Sequence, residues 1–159
     1  MRWSVILSLA IAGVAAASTD AAAQAPARAC PADTLGLGQW QPTTTGSGVL
    51  RMPLAGDREK ATFFAERQRF RAGYRSRPHV HNAELHVVVI CGSAHVELSG
   101  SPDSLRNRPV PAGGFIIIPA GIMHVEWFDR ETILHVEAMG PVETIFVDST
   151  AAQRRTTWP

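Results

Sequence analysis

Residues 73–92 read GYRSRPHVHNAELHVVVICG, and residues 113–124 read GGFIIIPAGIMH. In both stretches, glycines border an apolar run that has the length of a β-strand. The first stretch also contains His79 and His81, which are two residues apart. On a strand, residues two apart point to the same face, so both imidazoles are expected to project together. Histidines grouped in this way are typical of transition-metal sites.

Further candidate metal ligands lie close to this pair. Glu84 and His86 follow it, and His124 ends the second stretch. One His-x-His pair alone is weak evidence, but histidines and a carboxylate with open coordination positions suit Zn, Fe, Mn, Ni or Cu. We therefore expect one divalent transition metal as cofactor, with Fe or Zn favoured.

Short apolar runs alternate with turn signals from Val49 onward. Strands are predicted at 48–53, 62–72, 77–81, 85–91, 93–98, 114–118, 123–128, 132–138 and 142–147. Many short strands at this spacing favour an antiparallel sandwich or barrel. The segment 57–71 also fits a capped helix on local pattern. His95 and Glu97 alternate with apolar residues, so we expect them on a solvated face.

The composition is that of one globular domain, and it excludes two classes of partner. The 159 residues include 15 basic and 14 acidic side chains, a formal net charge of +1, and 45% apolar residues. Without an excess of positive charge, a general binder of nucleic acid or of anionic membranes is not expected. The 13 glycines and 11 prolines favour a turn-rich β protein.

The N-terminus predicts export. Arg2 precedes an apolar, alanine-rich run over residues 3–17, which is shorter than the ~20 residues of a membrane span. Small residues follow, in the layout of a secretory signal peptide cleaved after Ala23, with Ala17 as the alternative site. We expect a signal peptide at 1–23 and a periplasmic or secreted mature protein that does not associate with the membrane after cleavage.

Export affects how the two cysteines are interpreted. Cys30 and Cys91 would meet an oxidising compartment, where a disulfide bond is permitted. Cys91 also fits a small buried residue at the end of an apolar run. Because spacing in the sequence does not set disulfide geometry, a bridge and two free thiols both remain open.

The two stretches together resemble the paired motifs of the cupin superfamily. The matching residues are Gly73, His79-Val80-His81 and Gly92 for the first motif, and Gly113, Pro119-Ala120-Gly121 and His124 for the second. The 20 residues between them, 93–112, have the length found in compact single-domain cupins. The resemblance extends over about residues 49–148, and the end of this region looks like the closing strand of small exported bacterial cupins.

This resemblance implies an all-β fold, a single cupin-type antiparallel β-barrel or jelly-roll sandwich at 48–148. It leaves 24–47 as an extended leader and 149–159 as a polar tail, and it favours a strand over a helix at 57–71. It also implies a metal deep in the barrel mouth. The three imidazole ligands carried over are His79, His81 and His124.

The chain departs from the cupin pattern at the fourth ligand. The family glutamate should fall at position 85, where this chain has Leu85. Strict alternation from His81 points Leu85 inward and both Glu84 and His86 outward, although a turn at 82–83 would reset it. Three outcomes are open, namely a three-histidine site, a shifted strand that uses Glu84 or His86, and a lost metal site. Simple alternation favours the first.

Two glutamates are candidate catalytic residues. Glu126 shares a strand face with His124, and Glu137 shares one with His135. Either carboxylate would complete the metal shell or act as a general acid–base. The alternative for Glu126 is a position on a rim that faces water.

Two classes of function fit these observations. The first is an exported, metal-dependent enzyme acting on a small organic molecule. Dioxygenase-like chemistry leads here, since thiol- and diketone-cleaving cupins use three-histidine iron sites. The second is a non-catalytic module that binds a metal or a small ligand, because the fold alone does not select a function. Cupins often dimerise through sheet edges and N-terminal strands, and the leader at 24–47 would suit such a homodimer.

Overall fold

The computed structural model describes residues 30, 38–43, 48–100 and 108–147. The predicted signal peptide at 1–23, most of the leader and the tail at 149–159 lie outside these residues. Within the described ranges the regular structure consists of twelve strands, without a helix. A search of these residues finds no helix long and apolar enough to cross a membrane.

The strands follow the predicted pattern closely. They are β1 (Gln41–Pro42), β2 (Val49–Ala55), β3 (Phe63–Phe70), β4 (Tyr74–Arg75), β5 (His79–His81), β6 (Leu85–Cys91), β7 (Ser93–Leu98), β8 (Val110–Pro111), β9 (Phe115–Ile118), β10 (His124–Phe128), β11 (Thr132–Met139) and β12 (Thr144–Phe146). Three two-residue strands, β1, β4 and β8, were not predicted, because two residues show no periodicity.

The strands form two antiparallel sheets. The first has the order β1-β2-β3-β11-β6-β9. The second has the order β12-β5-β10-β7-β8, and β4 also pairs with β10. This arrangement confirms the predicted all-β sandwich.

The helix considered for 57–71 is wrong. Strand β3 pairs along its length with β2 on one side and with β11 on the other. Phe64 and Phe70 are both 2% exposed and lie on its inner side. This segment therefore follows the two-residue alternation of a strand and not the local helical pattern, because alternation lets one face of the strand join the core between the sheets.

The core lies between the inner faces of the two sheets. Alternate residues of β6 and β11 supply much of it, namely Leu85, Val87, Val89, Leu134, Val136 and Ala138. Phe70 stacks on Phe128 with ring centroids 4.2 Å apart, and each such buried side chain contributes roughly 1.5–3 kcal/mol. Phe128 and His124 stand four residues apart on the same face of β10, so about 13 Å separates the aromatic end from the histidine end.

A disulfide bond joins Cys30 to Cys91 at the end of β6, with a Cα–Cα distance of 5.5 Å. Of the two alternatives left open by the sequence, the bridge is the one the structure contains. It ties residue 30 to the first sheet across a sequence separation of 61.

Candidate metal centre

Two neighbouring strands bring three histidines together. His79 and His81 lie on β5, and His124 on β10 is paired directly opposite His79. All three are buried, and their candidate ligand atoms lie within 4.8 Å of one another. Three imidazoles this close together would hold one transition-metal ion between them. Among the described residues, no other set of three or more such groups has this spacing.

The turn before β10 fixes how the two strands meet. Gly121 has a φ of +74°, a left-handed conformation that other residues adopt only at a cost. In this conformation its N–H donates to the His81 carbonyl at 2.8 Å. The turn is therefore attached to the end of β5, and His124 emerges beside the first histidine pair.

The orientation of each imidazole is set by a backbone carbonyl. The Nδ1 atoms contact these oxygens at 2.8 Å (His79 to Arg77), 3.1 Å (His81 to Glu143) and 3.1 Å (His124 to Ile122). A carbonyl can only accept, so Nδ1 carries the proton and Nε2 keeps its lone pair. This outer contact is the one that metal-ligating histidines usually make.

Burial keeps these imidazoles neutral. It lowers the pKa of His81 to about 3 and that of His124 to about 4, and it also lowers the pKa of His79. Neutral imidazole is the form that binds metals. Nε2 of His124 is buried with no hydrogen-bond partner in the described structure, which costs free energy unless something occupies its lone pair. The donor set therefore fits a transition metal.

Strand β6 begins at Leu85, after a bend at 82–84 that separates it from β5 of the other sheet, and Leu85 points inward as alternation predicted. Leu85 is 5% exposed and lines the cavity beside the histidines. Glu84 and His86 are exposed and bond to each other at 2.9 Å. The structure brings together the three histidines, and it places Glu84 and His86 outside them.

A cavity between the sheets opens onto this cluster. Its empty space, open mouth included, is ≈ 760 Å³, and His79, His81 and Glu126 are among its lining residues. Burial raises the pKa of Glu126 to about 7. The backbone of Glu126 is held by Ser76, whose Oγ accepts from the Glu126 N–H at 3.0 Å and whose N–H donates to the Glu126 carbonyl at 2.9 Å.

Glu137 lies elsewhere. It alternates on β11 with Val136 and Ala138, which point into the core. Its carboxylate is on the outer side of the sheet, 43% exposed, and bonds to His135 Nε2 at 2.8 Å. The structure therefore separates the two predicted catalytic glutamates, with only Glu126 lining the cavity.

The sequence interpretation missed a polar wall of the same cavity. Arg51, Arg58 and Gln68 line it, and Glu66 pairs with them from behind the wall. One signal was present, since Glu66 and Gln68 occupy the same alternating face of the predicted strand as the apolar Phe70. Two polar residues on an otherwise apolar face indicate either a buried ion pair or a binding site.

Comparison with known families places the chain. The sequence model of DUF4437, described as a domain of unknown function, matches residues 45–146. The chain belongs to the DUF4437 family. The match covers both motifs and the strands between them. No curated protein sequence matches this DUF4437 chain significantly.

Solved structures identify the fold. The DMSP lyase DddQ from Ruegeria pomeroyi matches with a TM-score of 0.55 and 23% identity, over 70% of this chain and 61% of its own. A mutant of salicylate 1,2-dioxygenase from Pseudoaminobacter salicylatoxidans, in complex with gentisate, matches with a TM-score of 0.54 and 18% identity. The match covers 67% of this chain and 31% of the dioxygenase chain. An RmlC-like cupin from Shewanella frigidimarina matches with a TM-score of 0.53 and 19% identity, over 65% of this chain and 85% of its own. The DUF4437 chain thus has the cupin fold, which confirms the resemblance seen in the two motifs, and it spans less than two thirds of the first two proteins.

Proposed function

We propose that this DUF4437 protein is an exported, metal-dependent enzyme that acts on a small organic molecule. The observation that carries the proposal is the set of three buried imidazoles, each oriented by a backbone carbonyl so that its Nε2 is available. Catalytic metal sites typically use three protein ligands and keep a position open, whereas structural sites are closed. A bound divalent metal supplies Lewis-acid or redox chemistry at that open position.

The chain's own residues have distinct roles in this proposal. The histidines hold the ion, and Leu85 keeps the position of the family's fourth ligand apolar and free of a competing carboxylate. Glu126, in the same cavity, is the proposed general acid–base, which would give or take a proton at its carboxyl oxygens. Ser76 holds the Glu126 backbone in place.

Within this class, dioxygenase-like chemistry on an iron-loaded protein is the leading proposal. A cavity with much apolar lining around three histidines suits it, and the fold is shared with a salicylate 1,2-dioxygenase. Lyase chemistry is the other enzymatic candidate, since the fold is also shared with a DMSP lyase.

The test begins with the elemental content of the purified protein, before and after reconstitution with Fe²⁺ under reducing conditions. We expect about one metal per chain for a single site. Oxygen uptake is then screened with gentisate, salicylate, small thiols and diketones, and cleavage is screened with DMSP. With the substrate so found, Glu126→Gln should lower kcat about 100-fold or more. Its matched control, Glu137→Gln, should retain activity, because that carboxylate lies outside the cavity.

A non-catalytic module that binds a metal or a small ligand is the second candidate. The separation of Glu137 from the cavity favours it, because only one of the two expected carboxylates is available for proton transfer. Full metal occupancy without turnover of any probe would support this candidate and contradict the enzyme.

Export is a proposal of its own. The Cys30–Cys91 bridge supports it, because structural disulfides persist in oxidising compartments. N-terminal sequencing of protein recovered from the periplasm or the medium should begin at Gln24. A chain that starts at Met1 and remains in the cytoplasm would contradict export. The homodimer is likewise proposed, and light scattering of the purified protein tests it.

A further inference from the structure

Behind the cavity wall on the first sheet lies a buried charge cluster centred on Glu66, which is 2% exposed, and its partners Arg51, Arg58 and Gln68 line the cavity. Its Oε1 accepts from Arg58 Nη1 at 2.9 Å and from Gln68 Nε2 at 2.7 Å. Its Oε2 lies 3.2 Å from Arg51 Nε. Two guanidinium groups thus share the Glu66 carboxylate, and Arg58 also interacts electrostatically with Glu59.

The two arginines differ in how many of their nitrogens have partners. Arg58 uses both terminal nitrogens, one on Glu66 and the other on the Val142 carbonyl at 3.4 Å. Arg51 approaches Glu66 through Nε alone, as an ion pair without hydrogen-bond geometry, and no described residue pairs with its two terminal nitrogens. Its side chain is 27% exposed and lines the cavity. Arg51 therefore brings to the cavity a guanidinium whose terminal nitrogens have no partner among the described residues.

The rest of the cavity limits what would bind there. Apolar side chains of both sheets, among them Val49, Phe70, Val96 and Ile116, line the space between this wall and the histidines. A fitting ligand has an apolar body and one anionic group. One positive charge matches a monoanion, and the planar fork of a guanidinium matches the two oxygens of a carboxylate.

We propose that Arg51 binds the carboxylate of a small monocarboxylic acid, whose remaining part extends toward the three histidines. Arg58 and Gln68 act through Glu66, which positions Arg51. This assignment names a substrate class for the proposed function and rests on that function only at the metal end. The arginine end stands on its own contacts.

Calorimetric titration of the full chain with benzoate and with benzamide tests the assignment. The two probes have nearly the same shape and differ in charge. Benzoate should bind at least about tenfold more tightly than benzamide, and Arg51→Gln should remove about this factor while leaving benzamide binding unchanged. Arg69→Gln is the matched control, because Arg69 is ion-paired with Glu131 at 2.8 Å and does not line the cavity. It should bind benzoate like the wild type.

Arg51→Lys controls for a folding defect in Arg51→Gln, since lysine keeps the positive charge beside Glu66 but lacks the planar pair of N–H donors of a guanidinium. It should bind benzoate with an affinity between those of the wild type and Arg51→Gln. Any of three results would overturn the assignment. The wild type could bind benzoate and benzamide equally, it could fail to bind benzoate at millimolar concentration, or Arg51→Lys and Arg51→Gln could both keep the wild-type affinity for benzoate. So would benzoate binding that is lost in a His79→Ala/His124→Ala variant but kept without Arg51, because the carboxylate would then bind the metal.

Metal content measured on the same samples separates this proposal from the proposed function. Arg51→Gln should retain the metal. If the wild type binds none, the metal-dependent function fails, and the comparison of benzoate with benzamide in metal-free protein still decides the role of Arg51.

Discussion

The six histidines of the chain form two sets of three that differ in their hydrogen-bond partners. His79 and His81 of the inner set line the cavity, His124 lies directly beside them, and a backbone carbonyl contacts each Nδ1. In the outer set, each Nε2 meets a carboxylate, with distances of 2.9 Å (His86 to Glu84), 2.9 Å (His95 to Asp129) and 2.8 Å (His135 to Glu137). A carbonyl on Nδ1 leaves the Nε2 lone pair available, whereas a carboxylate on Nε2 occupies that nitrogen.

The comparison shows that strand face and partner atom, rather than residue type, distinguish a metal ligand from a surface histidine. The inner histidines also converge from two adjacent strands. Of the outer ones, His86 and His135 lie on the paired strands β6 and β11 of the first sheet, where His86 stands opposite Glu137, and His95 lies on β7 of the second sheet. Four predictions test this division, from the largest expected effect to the smallest.

Removing two inner histidines should abolish metal binding. A His79→Ala/His124→Ala variant would leave one imidazole, which cannot hold a divalent ion alone at micromolar concentration. Elemental analysis should find metal near one per chain in the wild type and none in this variant. The matched outer variant, His86→Ala/His135→Ala, should retain the metal fully. Equal loss of metal in both variants would contradict the division between inner and outer histidines.

Acid should destabilise the metal-free protein through the inner set. Burial lowers the pKa of His81 to about 3 and of His124 to about 4, whereas unfolded histidine titrates near 6.5. Between pH ~6.5 and ~4 the unfolded chain therefore binds more protons, and the free energy of unfolding falls as pH falls, by on the order of a few kcal/mol. Above pH ~6.5 both states are neutral and the contribution vanishes.

Urea unfolding with chelator present, repeated from pH 7.5 to pH 4, measures this slope. His81→Gln/His124→Gln should flatten it, because two of the buried bases are gone. His86→Gln/His135→Gln should leave it unchanged. Parallel slopes in all three proteins would show that the inner set is not the source.

Much of this division was predictable from the sequence. Two-residue alternation predicted that His79, His81 and Leu85 point inward, and they do, although Leu85 begins β6 in the other sheet. The resemblance to the cupin motifs implied that His124 lies beside the first pair. For His79 and His81 a local pattern sufficed, because both lie on one short strand.

The remaining features depend on contacts between distant segments. The pairing of Glu66 with Arg51 and Arg58 needs three separate parts of the chain, and sequence spacing does not report it. The expectation for His95 was wrong for the same reason. His95 is 9% exposed rather than solvated, because its ring stacks on Trp127 of the neighbouring strand with centroids 4.8 Å apart.

Position 85 tests whether the inward face of β6 differs from its outward face in metal binding. Leu85 points into the cavity, so Leu85→Glu would place a carboxylate where the cupin pattern has its fourth ligand. We expect metal affinity to rise about tenfold, since a carboxylate adds a charged donor. The metal-free variant should be less stable, because a buried carboxylate without a partner is costly. Competition with a chelator measures the affinity, and His86→Glu, which places the new carboxylate outside, should leave it unchanged. Unchanged affinity for Leu85→Glu would mean that a carboxylate at position 85 does not reach the ion.

The smallest effects should occur within the outer set, where exposure decides the cost. His86 and Glu84 are each about half exposed, and such a pair contributes roughly 0–1 kcal/mol. His86→Ala should therefore shift the free energy of unfolding by less than ~0.5 kcal/mol. His95→Ala should cost more, about 1–2 kcal/mol, because it also removes buried stacking on Trp127. Urea unfolding of both variants at pH 7.5 checks the order. Equal changes in the free energy of unfolding would mean that the contact with a carboxylate, and not the burial of the ring, sets the contribution of an outer histidine.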